Sequence, residues 1–216
     1  MGNILTSSIG KKLIMSISGL FLIIFLLVHL LANSAYLLGP EAFDAVIEFM
    51  GSPFIVVMVP VLAAGFAIHI IYAVFLTIQN RKARGSQRYE VSNQAQTDSW
   101  ASKNMFVLGI IILGVLVFHL SHFWAKMQLP EFTGGHAENG NVLMSQTFGN
   151  IWILVCYLIW FAALWFHLTH GFWSAFQTMG ANNSKWLGRL KVVSYIYSTF
   201  IALGFSIIAI YAHLNA

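Results

Sequence analysis

The stretch WFHLTHGFW, residues 165–173, decides how the rest of the chain is read. It sets two imidazoles, His167 and His170, near the end of an apolar run long enough to cross a membrane. A polar side chain at such a depth costs free energy, so it faces a bundle interior and serves a function. The pattern recurs upstream, with His29 in the first apolar segment, His69 in the second, and His119 and His122 in the third. Four segments that each offer an imidazole point to a metal-centred cofactor held between them.

The remainder of the composition agrees with a membrane setting. Of 216 residues, 58% are hydrophobic and 8% charged, and the mean hydropathy is +0.76. That leaves too little polar surface to cover a water-soluble globule. Five apolar runs, at roughly 13–38, 54–79, 104–127, 148–177 and 191–214, each reach the ~20 residues that span the hydrocarbon core. At this length in lipid only a helix satisfies its own backbone. The expected fold is an all-α membrane protein, a bundle of five transmembrane helices forming a single domain over 1–216. The opening MGNILTSSIGKK leads into an apolar run too long for a signal peptide's core and followed by no small-residue cleavage site, so it reads as a retained first helix.

The net charge of +4 does not indicate nucleic acid, because the basic residues fall in alternate connections. Ten of the eleven, Lys11, Lys12, Arg81, Lys82, Arg84, Arg88, Lys103, Lys185, Arg189 and Lys191, lie at the N-terminus and in the second and fourth connections, leaving Lys126 alone elsewhere. By the positive-inside rule the N-terminus is cytoplasmic and the C-terminus lies on the outer side. The polar connection RKARGSQRYEVSNQAQTDSWASK, 81–103, reads equally as a solvated loop and as a docking surface for a cytoplasmic partner. On the outer side, Ala42, Phe43, Val46, Ile47, Phe49 and Met50 are spaced for a short amphipathic helix that roofs a cavity. Gly180 is the expected stop of the fourth long helix. Cys156 is the only cysteine, so no intrachain disulfide forms.

A rise of ~1.5 Å per residue converts position into depth. His29 lies about 26 Å beyond Lys12 and His122 about 28 Å beyond Lys103, while His69 lies roughly 18 Å before Arg81 and His167 roughly 15 Å before Gln177. The histidines therefore sort into an outer pair, His29 with His122, and an inner pair, His69 with His167, about 10 Å apart in depth. Two levels with two ligands each suit planar haem, whose iron takes one imidazole on either face, and two axial histidines leave no position for oxygen. That chemistry is electron transfer. A zinc or copper site wants three or four ligands at one point, often with Cys or carboxylate, and no Asp or Glu lies at depth. Within each doublet, His119 or His122 and His167 or His170, one imidazole suffices as ligand, and the other is free to hydrogen-bond a propionate or a quinone, or to pack.

With these residues in hand, the chain resembles the two-haem cytochrome b membrane anchor of succinate dehydrogenases and fumarate reductases. The resemblance runs through VHLLAN at 28–33, AFDAVIEFMGSP at 42–53, IHIIYAVF at 68–75, SHFW at 121–124 and FHLTHGFWS at 166–174. It implies an outer haem on His29 and His122 and an inner haem on His69 and His167, with His119 and His170 as alternative ligands or supporting groups. It also implies partners: a cytoplasmic flavoprotein, an iron–sulfur protein that relays electrons, and a membrane quinone, with menaquinone expected. The resemblance places the chain in the bacterial cytoplasmic membrane, with the quinone near the outer haem and the 41–53 segment. Glu48 is a candidate for handling the quinone's protons. Two rivals remain: a cytochrome b anchor for another dehydrogenase, such as a hydrogenase or formate dehydrogenase, and a transporter that uses the histidines to relay protons or metal ions.

Overall fold

The computed structural model describes residues 7–84, 99–181 and 183–216. Its helices are α1 (Ser8–Ser34), α2 (Pro40–Met50), α3 (Pro53–Arg84), α4 (Trp100–His119), α5 (Ala125–Met127), α6 (Leu129–Thr133), α7 (Gly140–Phe148), α8 (Ile151–Thr178) and α9 (Ser184–Leu214), with no strand among the described residues. Five stretches are long and apolar enough to cross a membrane: Ser8–Leu38, Pro53–Ala83, Trp100–Met127, Ile151–Thr178 and Ser184–Leu214.

The starts of these helices follow from local chemistry. The first N–H groups of a helix lack partners, and a short polar side chain just before it supplies one. Ser7 Oγ accepts from Gly10 N at 3.0 Å, Ser99 Oγ from Ser102 N at 3.2 Å, Asn150 Oδ1 from Trp152 N at 2.9 Å and Asn183 Oδ1 from Trp186 N at 2.9 Å. Proline opens α3, where its missing N–H has no cost. The end of α8 lies at Met179, with Gly180 just beyond at φ +108° and Ala181 N donating back to Phe176 O at 3.0 Å, as expected of the glycine there.

Helices α8 and α1 form the middle of the bundle; α9 packs along α8 and α1, α3 along α1, and α4 along α8. Helices α8 and α9 pack extensively on each other, and small residues are buried on both, Ala163 and Ala175 on α8 and Ser194, Ser198, Ala209 and Ala212 on α9, where they let helix backbones come close. Ser194 Oγ donates from α9 to Thr169 O of α8 at 2.9 Å, and Tyr197 OH donates from α9 to Ile23 O of α1 at 2.5 Å. By contrast, none of residues 53–83 of α3 is fully buried.

One end of the bundle carries the basic residues, among them Lys12, Arg81, Lys103, Lys185 and Lys191. There Arg81 lies over the ring of Phe106 at 5.0 Å, bridging α3 and α4, and Lys191 lies over Trp173 at 4.8 Å. Residues 85–98 of the basic connection, and with them most of the expected docking surface, lie outside the described residues. At the opposite end α2 forms the expected amphipathic helix. Phe43 is buried against the core and Val46 and Ile47 pack partly against it, whereas Phe49, expected on the same face, is 60% exposed.

Two features of that end differ from the sequence expectation. The fourth long helix begins at Ile151, because residues 140–148 form a separate helix, α7. Asn139 Oδ1 caps it, accepting from Asn141 N and Val142 N, and its Leu143, Met144 and Phe148 are buried. The side chain of Asn141 then donates to Asp44 Oδ1 at 2.7 Å, latching α7 to α2. The third span does not continue as plain α-helix to 127 either. Residues Leu120–Trp124 form a π-turn, a rare insertion of one residue into the helical repeat that is frequent at functional sites.

Candidate functional site

The six membrane histidines converge from α1, α3, α4 with its π-turn, and α8, and each is half-buried. They form two groups. In the group nearer the basic end, the ring of His69 meets that of His167 at a centroid distance of 6.4 Å. Ser18 Oγ lies 3.4 Å from His69 Nδ1 while donating its own proton to Met15 O at 3.0 Å. With the hydroxyl proton spent, Ser18 offers His69 a lone pair, which holds the imidazole proton on Nδ1 and leaves Nε2 bare. A Cβ on Gly19 would stand 3.3 Å from His69 Cε1, so the glycine lets the α1 backbone approach this ring. His167 Nδ1 is shielded from solvent and has no hydrogen-bond partner among the described residues. His170 turns its ring edge-on to Trp173, with centroids 4.9 Å apart.

In the other group His29 meets His119, with ring centroids 5.9 Å apart. Aromatic rings wall this pair: Phe25 stacks on His29 at 5.2 Å, Phe205 lies 5.7 Å from it, and Phe123 and Trp160 lie 5.2 and 5.7 Å from His119. His122, the residue that the resemblance sets across from His29, packs against Phe118 at 4.1 Å and stacks on Tyr157 at 6.4 Å. Asn33 Nδ2 donates to His29 O at 2.8 Å and stands 3.5 Å from His29 Nδ1, a contact that favours a bare Nδ1, the reverse of the arrangement at His69. Glu48 is exposed on α2.

The spacing within each pair is informative. Imidazole binds a first-row metal at roughly 2.0 Å, which puts the centres of two rings on opposite sides of one metal about 6 Å apart. Both pairs have that separation. Among the described residues no three His, Cys, Asp or Glu side chains gather as a metal-binding cluster. The unpartnered Nδ1 of His167 is a buried polar atom whose cost a bound group could relieve by accepting or donating a hydrogen bond there.

Sequence reasoning singled out all six histidines but not Ser18, Tyr157 or Trp160, which surround them. Ser18 and Tyr157 are residues that a transmembrane segment holds for ordinary packing, and only the fold brings their hydroxyls to imidazole nitrogens. A Cβ on Gly65 would stand 2.5 Å from the ring of Phe21, so the α3 backbone there lies directly against an α1 side chain.

No family model, curated protein or solved structure matches the chain. The imidazole geometry is thus the guide to function.

Proposed function

We propose that the chain is the di-haem cytochrome b anchor of a succinate dehydrogenase or fumarate reductase complex, passing electrons between an iron–sulfur subunit and membrane quinone. The observation that supports the reading is the pair of neighbouring imidazoles at each of two levels, His29 with His119 and His69 with His167, at ring-centroid separations of 5.9 and 6.4 Å. In this reading His69 and His167 would hold the haem nearer the basic end, and His29 and His119 would hold the other. Bound there, haem would supply reversible one-electron transfer.

The protein's own residues do the rest. Ser18 orients His69, and the aromatic wall of Phe25, Phe205, Phe123 and Trp160 keeps the second pair dry. The basic end is the proposed cytoplasmic face and docking surface for the soluble subunits. The α2–α7 end, with Glu48 on it, is where quinone protons would be handled. No residue of the chain is assigned to dicarboxylate chemistry.

The deciding experiment is the dithionite-reduced minus oxidised spectrum of the purified full-length protein, with pyridine haemochrome quantitation, for wild type, His29→Ala and His69→Ala. Two b-type haems per chain, with each variant losing a different one, is the expected result. Absence of haem in protein made with adequate haem supply would discard the cytochrome reading and leave a histidine-based transporter. Co-purification of flavin and iron–sulfur subunits separates the succinate-linked anchor from that of a hydrogenase or formate dehydrogenase.

A further inference from the structure

Tyr157 of α8 is 1% exposed, and its hydroxyl lies between two imidazoles, 3.5 Å from His119 Nδ1 and 3.4 Å from His122 Nδ1. A phenol has one proton to donate, and a neutral imidazole has one N–H and one bare nitrogen. Four arrangements of the three groups are conceivable. If both Nδ1 atoms carry protons, both donate to the phenol oxygen and its own proton finds no acceptor here. If neither does, one hydroxyl proton faces two bare nitrogens and one of them stays unpaired. Only the two mixed arrangements pair every group, and unpaired polar groups in a buried site are disfavoured.

We propose that Tyr157 is a positioning residue that locks His119 and His122 into opposite tautomers. His119 Nδ1–H donates to the phenol oxygen, and the phenol O–H donates to His122 Nδ1. The direction follows from the neighbours. The ring of His119 is the one that meets His29, and with its proton on Nδ1 it presents a bare Nε2 on the other side. His122, accepting at Nδ1, keeps its proton on Nε2 and, like His29 beside Asn33, would have to move that proton before ligating a metal there. One hydroxyl thus favours one member of the doublet as ligand over the other, a role of the kind that outer hydrogen bonds play at metal sites. The direction, and with it the significance of the bare Nε2, rests on the haem reading; that the two tautomers are opposite does not.

The test is magic-angle-spinning NMR of full-length, ¹⁵N-histidine-labelled, dithionite-reduced protein in lipid bilayers, with signals assigned by His119→Gln and His122→Gln. The expected result is His119 protonated at Nδ1 and His122 at Nε2. Tyr157→Phe, which removes only the hydroxyl, should abolish that opposition and leave the His69 and His167 signals in place as the sign of an intact fold. The same tautomer at both positions in wild type, or an opposition that survives Tyr157→Phe, overturns the proposal. A haem count on the same samples distinguishes this from failure of the cytochrome reading, because tautomers are readable in haem-free protein. In haem-loaded protein, Tyr157→Phe should shift the midpoint potential only of the haem lost in His29→Ala; a shift of both haems or of neither counts against the proposal.

Discussion

His69 and His29 occupy equivalent places in the two pairs yet are prepared differently. Ser18 holds the proton of His69 on Nδ1 and so presents Nε2 ready for a metal, whereas Asn33 favours the opposite tautomer at His29. Under the proposed function, haem-limited expression should therefore fill first the site that His69→Ala destroys, read from the order in which the two haem spectra appear. Ser18→Ala should reverse or abolish that order, with a loss of affinity of about 10–100-fold at the His69 site. Glu48→Gln should slow quinone turnover with both haems retained; unchanged turnover in a quinol-coupled assay removes Glu48 from proton handling. The histidines themselves were legible because an imidazole is conspicuous in an apolar helix. The choice within the His119 and His122 doublet was not, since residues three apart share a helix face and depth arithmetic carries an error of about a turn. Under the proposal above Tyr157 distinguishes the two, and it leaves no mark on hydrophobic spacing.

At the scale of the element, two glycines of the spanning helices make contrasting predictions. Gly65 of α3 lies against the Phe21 ring of α1, where an added methyl would come within 2.5 Å of it, while Gly109 of α4 has open space where its Cβ would be. Gly65→Ala should lower stability by about 1–3 kcal/mol through overpacking, whereas Gly109→Ala should be neutral or gain up to about 1 kcal/mol from helix propensity. Thermal unfolding of the two variants in the same detergent compares them directly, and equal melting temperatures would contradict the assigned contact. All five spans were legible because each apolar run exceeds the membrane requirement. Their ends were read less well. The first helix starts at Ser8, five residues ahead of the expected 13, because Ser7 caps it; α7 was missed because its Gly- and Asn-rich opening reads as loop until Asn139 is seen capping it.

The whole molecule has one basic end, and its orientation is a proposal that topology mapping can decide. In a Cys156→Ser background, single cysteines at Lys103 and Lys185 should react with a membrane-impermeant maleimide only in inside-out vesicles, and a cysteine at Glu138 only in right-side-out ones. The reverse pattern would put the docking face on the wrong side for cytoplasmic partners. A last consequence follows from α3, none of whose residues 53–83 is fully buried, which packs chiefly along α1 and yet carries His69. Helices enter a bilayer individually and associate afterwards, and one that leans on a single neighbouring helix has little to hold it to the rest of the bundle. Under the proposed function, the bond from His69 to a shared iron would be the rivet that recruits it, so that prosthetic-group supply during biogenesis would govern whether the newly inserted chain matures or is cleared by membrane proteases.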